Sequence, residues 1–291
     1  MTRKEKILSF IDVSRNGLEV GAGHDPVCPK SSGFNVEVLD HLDQAALREK
    51  YREHGVRTAA IETVDFVWKG ERYLDLTRRP KGYGWIVASH VVEHMPDLVA
   101  FLQDCDSILQ DDGVLALAVP DKRYCFDHLR PESSLGAVVD AHEIRRTLPS
   151  VGTAAEYFLN VCERTRPVRW ADARSHDLRL VHSRSDALSA MEAVRQSAFL
   201  DMHSWCFTPS SFRSIVNDLY DLGLIKLREV SFIDTVGHEF FIALGSHGTG
   251  LPMSRLELMV GSVRDNSPRF PNAGRWTEAL KASLKKLRPM R

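Results

Sequence analysis

Gly17-Leu18-Glu19-Val20-Gly21-Ala22-Gly23-His24 reads as a short apolar strand that runs into a glycine turn. Before it, residues 1–16 are charged and mixed, a short leading helix or arm. After it, a second strand spans Phe34 to Leu39 and closes on Asp40, and residues 43–53 carry Leu, Ala and charges at helical spacing until Gly55. Thr63 to Val67 reads as a third strand, and Trp85 to Ser89 is a continuous apolar run of the kind buried in a parallel sheet. Leu98 to Leu109 is helical and ends at Asp111-Asp112-Gly113; Val114 to Val119 is another buried strand, stopped by Pro120. Strand and helix in alternation predict an α/β fold, a doubly wound, mostly parallel sheet with helices on both faces.

The rhythm breaks after Pro120. Residues 121–204 are rich in His, Arg and Ser, with helices expected around Ala154 to Cys162 and Leu188 to Leu200 and little strand signal. It resumes at Thr208-Pro209, a helix start that runs to Leu222 with Gly223 as its cap. Ile225 to Ile233 and His238 to Leu244 read as an antiparallel pair at a sheet edge, and the chain beyond Gly245 reads as loop. The expected divisions are an α/β core over 1–120, a largely helical insertion over 121–204, completion of the sheet over 205–245, and a loop with a basic tail over 246–291; the motifs below make the first the cofactor-binding part and the second an acceptor cap.

The 291 residues include 38 Lys plus Arg and 39 Asp plus Glu, a net charge of -1. No global pull toward nucleic acid follows, and no nucleic-acid partner is expected. The five cysteines lack CxxC spacing, which fits a reducing compartment and argues against a zinc ribbon. The apolar part of the opening MTRKEKILSFID is too short for a signal-peptide core. A cytoplasmic, soluble protein is the expectation.

Glycines at 21 and 23 let a turn pass close to a ligand, while the following helix end points N–H groups at it. Asp40, with His41 beside it, ends the next strand, where a carboxylate can accept hydrogen bonds from two ribose hydroxyls. Asp65 and Phe66 are placed at the end of the third strand, where an acid and a ring can hold an adenine. Ser89 and His90, followed by Val91-Val92-Glu93-His94, lie at the lip of the crevice where open α/β sheets bind ligands. These residues, with IVASHVVEHMPD and DDGVLALAVPD, resemble the class I S-adenosylmethionine-dependent methyltransferases over about residues 17–120 and again over 205–245. The resemblance implies a seven-stranded Rossmann-like sheet and S-adenosylmethionine as cofactor, held by Glu19, Gly21, Ala22, Gly23, Asp40, His41, Asp65, Phe66, Ser89 and His90. VPDKRYCFDHLRP and DMHSWCFTPSSF are more narrowly similar to bacterial methyltransferases of surface-polysaccharide assembly.

The same residues admit other readings. A nicotinamide-dependent sugar-modifying enzyme would show a third glycine for helix packing, and Pro26 follows the two glycines instead. His90-Val91-Val92-Glu93-His94 fits the HxxEH pattern of inverted zinc proteases, but Pro96 disfavours the helix that pattern needs, so no metal is expected. A weaker version keeps Glu93 and His94 beside a divalent ion near the acceptor. The lone cysteines read as small core residues.

Methyl transfer from a sulfonium is an in-line displacement, so the protein must align the reactants, exclude water and remove the acceptor's proton. His94 is expected to border the reacting centre and His203 to act as base on a carbohydrate hydroxyl. Asp121, Lys122, Arg123, Tyr124 and Trp205 are candidates for holding the acceptor. An insertion of about 84 residues is too long for a plain connection and reads as a functional cap. Within it Arg164, Arg166, Arg169, Arg174 and Arg179, around Trp170, suit an anionic or sugar-bearing acceptor. The tail sets Trp276, Leu280, Leu284 and Leu287 between Lys281, Lys285, Lys286 and Arg288, which suits peripheral contact with an anionic inner membrane or a homodimer contact. The leading functional expectation is O-methylation of a sugar in a surface polysaccharide or glycolipid, followed by O- or N-methylation of a small natural product.

Overall fold

The computed structural model describes residues 1–266 except 54 and 57. In chain order the core opens with α1 (Arg3–Leu8), β1 (Gly17–Val20), β2 (Val36–Asp40), α2 (Gln44–Glu53), β3 (Phe66–Val67), α3 (Tyr73–Thr77), β4 (Tyr83–Ser89), α4 (Leu98–Ile108) and β5 (Leu109–Pro120). The insertion carries α5 (Leu135–Glu143), α6 (Val151–Asn160), β6 (Cys162–Arg164), β7 (Leu178–Leu180) and α7 (Arg184–Arg195). The chain then returns through α8 (Pro209–Asp221), β8 (Arg228–Val236), β9 (Glu239–Gly245) and α9 (Arg255–Asn266).

Seven of the described strands form one sheet in the order β3-β2-β1-β4-β5-β9-β8. β1 to β5 are parallel, while β9 runs antiparallel to both β5 and β8. This is the doubly wound sheet the alternating pattern predicts. The continuous apolar run of β4 has its reason in two-sided burial. Ile86 and Ala88 join the larger core with Phe101, Leu102 and Phe212, while Trp85 and Val87 pack on the other face with Ile7, Val27 and Phe241. Thr208 caps α8 by accepting from the Ser211 N–H, and Pro209 takes its first turn.

Four expectations change. The third strand is only Phe66–Val67, so Asp65 precedes it instead of ending it. Asp111-Asp112-Gly113 does not separate helix from strand. β5 already begins at Leu109, which pairs with Tyr83, and residues 110–113 bulge before Val114 pairs with Trp85. The insertion holds a two-stranded hairpin, β6 with β7, whose three-residue strands are too short to show a period. Residues 255–266 are helical, not loop; Arg255 anchors α9 to Asp218 of α8 at 2.7 Å. The basic tail singled out above lies outside the described residues. No described helix is long and apolar enough to cross a membrane.

Candidate active site

The strand order reverses between β1 and β4, and the carboxyl ends of β1, β2, β4 and β5 meet there in a crevice. Its first wall is the turn after β1. Gly21 and Gly23 have φ of 67° and 53°. A Cβ would lie 2.6 Å from Val91 Cγ2 at the first and 2.8 Å from Tyr51 Oη at the second, so both close approach and backbone hand require glycine. Glu19 is buried, and its carboxylate accepts from the Val27 N–H at 2.6 Å and the Cys28 N–H at 2.9 Å. It thereby folds the loop after the glycines back against β1.

Burial raises the Glu19 carboxyl to about 6 against the two backbone donors, which lower it. The fold therefore favours its protonated form more than the unfolded chain does. The stability it contributes is full below its ordinary value and is lost as pH rises through about 6, a loss of about 2 kcal/mol. Glu19→Gln should remove that slope. Melting curves between about pH 4.5 and about pH 7 should show the variant gaining on the wild type as pH rises; a constant difference would contradict the assignment.

Asp40 ends β2 with its side chain buried. Its Oδ2 accepts from the Gly23 N–H at 3.2 Å, and its Oδ1 from the His41 N–H at 2.7 Å, with the His41 ring 2.6 Å away. The carboxylate therefore ties the second strand to the glycine turn. One lone-pair direction on Oδ2 stays open, and a swing of the partly exposed His41 ring would open Oδ1. Asp65 is not beside it in this role. Its carboxylate accepts from the Val38 N–H at 2.7 Å and from Lys30 Nζ at 2.5 Å, so it is a strand clamp away from the crevice. Phe66 packs against the main core.

The second wall follows β4. His90 has φ 55°, a left-handed conformation rare outside glycine, in the residue just after the strand. Its Nε2 lies 2.8 Å from Glu239 of β9, and Arg3 of α1 reaches both Glu239, at 2.8 Å, and the Ser89 hydroxyl. Val92–His94 form a single 3₁₀ turn and Met95 is extended, as Pro96 requires. Glu93 is fully buried, and neither carboxylate oxygen has a hydrogen-bond partner. The return of the insertion lies against it: the Ser204 and Trp205 N–H groups donate to the Glu93 carbonyl at 2.6 and 3.1 Å.

That contact brings the two histidines singled out from sequence together, with ring centroids 4.7 Å apart. His203 is buried, and its Nδ1 lies 2.5 Å from Asp127, which also accepts from Arg130 at 2.8 Å. Burial works to raise the Asp127 carboxyl, but His203 and Arg130 outweigh it and hold it below the usual carboxylate range. The charged acceptor fixes the proton on Nδ1, which leaves the lone pair on Nε2, 3.9 Å from Glu93. His94 Nδ1 is 3.0 Å from Asp201, an ion-pair distance without hydrogen-bond alignment, and Asp201 also accepts from Lys50 of α2 at 2.7 Å. Burial opposes charge on His94, yet Asp201 and Glu93 together raise its pKa above the ordinary imidazole value. Lys50 in turn reaches the His41 ring at 3.3 Å. The chain His41, Lys50, Asp201, His94 thus connects the Asp40 corner to the histidine pair.

A cavity of about 830 Å³ opens beside His203, lined among others by His90, Tyr124, Phe126, Arg164 and Trp170. Of the expected acceptor residues only Tyr124 faces it. Asp121 is fully buried and accepts from Arg123 and from Thr235, Arg123 also pairs with Asp265 at 2.9 Å, and Lys122 is buried with Nζ 3.3 Å from the His128 carbonyl. Trp205 belongs to the core and donates through Nε1 to the Met95 carbonyl. These four hold the cap to the sheet. Arg179 closes on Glu163 of its own hairpin, while Arg166, paired with Asp177, and Arg164, whose guanidinium lies 4.9 Å from the Trp170 ring, line the cavity with that ring. Burial pushes up the thiols of Cys28, Cys105, Cys125, Cys162 and Cys206, which makes them poor nucleophiles, as expected.

Comparison with known proteins decides the class. A family described as "Methyltransferase domain" matches residues 2–218. The chain belongs to this methyltransferase family. It is an enzyme of methyl transfer, and S-adenosylmethionine is its cofactor. Among solved structures it is similar to the CcbJ methyltransferase from Streptomyces caelestis (11% identity over 83% of this chain and 93% of that one, TM-score 0.43). It is also similar to a SAM-dependent methyltransferase from Aquifex aeolicus (13%, 83% and 88%, 0.39) and to a structure titled as putative Zn-dependent alcohol dehydrogenases from Rhodobacter sphaeroides (12%, 83% and 87%, 0.45). Likenesses of this size carry no argument about activity. No curated protein shows significant sequence similarity to the chain. Family membership displaces the nicotinamide alternative. The crevice fits the methyltransferase cofactor: two left-handed glycines turn bare backbone across the end of β1, and Asp40 keeps acceptor capacity at the strand end beside it.

Proposed function

We propose that this methyltransferase methylates a hydroxyl of a carbohydrate acceptor, in a surface polysaccharide or glycolipid. The observation that carries the reading is the buried Asp127–His203 pair, whose histidine lines the 830 Å³ cavity at the carboxyl end of β4. When bound, S-adenosylmethionine supplies a sulfonium methyl group as the electrophile. The glycine turn and Asp40 hold the cofactor, with Ala22, Ser89 and His90 at the rim. His203 Nε2 accepts the acceptor's hydroxyl proton, and Asp127 stabilises the imidazolium that results. His94, fixed by Asp201, borders the reacting centre. The aromatic faces of Tyr124, Phe126 and Trp170, with Arg164 among them, suit the apolar faces and hydroxyls of sugar rings, and the volume lies within the usual range for small-ligand sites.

The test is to incubate the protein with radiolabelled methyl donor and fractionated cell-envelope glycans. Label should enter a glycan fraction and resist base hydrolysis, as an ether does. Label found only in small-molecule fractions would favour the natural-product alternative and reject the sugar acceptor.

A further inference from the structure

We propose that Glu93, His94 and His203 form a binding site for one divalent transition-metal ion. One atom from each of the three side chains lies within 4.8 Å of the others. Ligands about 2.1 Å from a shared ion stand about 3 to 4 Å apart, so closure needs side-chain shifts of about 1 Å or less. The decisive feature is Glu93, fully buried with neither oxygen in a hydrogen bond, its nearest bases being His90 Nδ1 at 3.4 Å and His203 Nε2 at 3.9 Å. A buried carboxylate without a hydrogen bond is strongly disfavoured, and an ion between it and the two imidazoles removes that cost.

The surroundings are those of metal-ligating histidines. Each imidazole has a carboxylate partner at Nδ1: Asp127 at 2.5 Å for His203 and Asp201 at 3.0 Å for His94. Such outer partners orient the ring and raise its basicity as a ligand. The second cluster in the crevice, His90, His238 and Glu239, differs in this respect, because Glu239 is already satisfied by Arg3 and His90. The HxxEH spacing of the sequence pairs His90 with His94. The fold instead replaces His90 by His203, brought in by the returning cap, and so assembles the ligands without the helix that spacing demands.

Two imidazoles and one carboxylate leave coordination positions open and suit Mn²⁺, Fe²⁺, Co²⁺ or Zn²⁺ over Mg²⁺ or Ca²⁺. The role of the ion rests on the methyl-transfer reading, although its binding does not. With the ion bound, His203 would serve as a ligand in place of the proton acceptor it is in the metal-free protein, and an acceptor hydroxyl in an open position, made more acidic by the ion, would give its proton to water.

The full-length protein, stripped with chelator and dialysed, is titrated with Mn²⁺ by calorimetry and with Co²⁺ by visible absorption. One ion per chain should bind, and Mn²⁺ should raise the Tm of the wild type. Glu93→Gln and His94→Ala should each weaken binding by at least about tenfold. Glu93→Gln loses the buried charge and should fold at least as stably as the stripped wild type, which keeps that variant informative; His94→Ala provides the independent check. Asp40→Asn should bind the ion as the wild type does. No saturable Mn²⁺ or Co²⁺ binding, or equal binding by wild type and Glu93→Gln, would overturn the proposal. S-adenosylhomocysteine binding measured in the same samples separates that failure from a failure of the methyltransferase reading.

Discussion

Replacing His203 by alanine is expected to lower kcat by about 10²- to 10⁴-fold, the contribution of a positioned proton acceptor, with cofactor affinity changed by less than about twofold. The expectation follows from separation of tasks. On the proposed reading the cofactor sits against the turn after β1 and Asp40, whereas His203 arrives from the end of the insertion and touches Asp127, Glu93 and His94 instead. Asp127→Asn should fall in the same direction, because an amide in place of the carboxylate no longer stabilises the imidazolium. Single-turnover transfer to the labelled acceptor, beside calorimetry with S-adenosylhomocysteine, reads both quantities. An unchanged transfer rate in His203→Ala would remove this residue from the chemistry.

The second large effect is expected from Gly21→Val. Its backbone lies at φ 67°, and a Cβ there would meet Val91 Cγ2 at 2.6 Å. A left-handed conformation costs an ordinary residue about 1–2 kcal/mol, and overpacking costs about 1–3 kcal/mol. If the turn shifts to relieve both, the cofactor seat is lost. Affinity for S-adenosylhomocysteine should fall by at least about 30-fold, while the circular-dichroism spectrum keeps its helix and strand content. Wild-type affinity in this variant would mean that the cofactor does not use the turn.

The fold was readable because two-sided burial leaves a strong mark. A parallel central strand must be apolar throughout, as Trp85 to Ser89 is, and the order of strands and helices then follows from chain rules. The glycine turn and Asp40 were readable for a similar local reason: each sits at a strand end that the pattern itself locates. Asp65 was misplaced because a two-residue strand has no period, and its true end is at Val67. Asp127 carries no sequence signal of its role, although it lies within VPDKRYCFDHLRP. It acts on a histidine 76 positions later, and no periodicity connects the two. Asp121, Lys122 and Trp205 carry the residue types of a binding site, but burial commits their polar atoms to the protein itself. α9 was masked by the Gly, Pro and Ser residues around positions 245–254.

The central claim is that the turn at 21–23 and the Asp40 carboxylate seat S-adenosylmethionine. Calorimetric titration of S-adenosylhomocysteine into the wild type and into Asp40→Ala tests it most directly. The wild type should bind one molecule per chain, and Asp40→Ala should bind about 10- to 100-fold more weakly, the loss expected for hydrogen bonds to a charged acceptor. No saturable binding by the folded wild type, or equal affinity in the two proteins, would contradict the account.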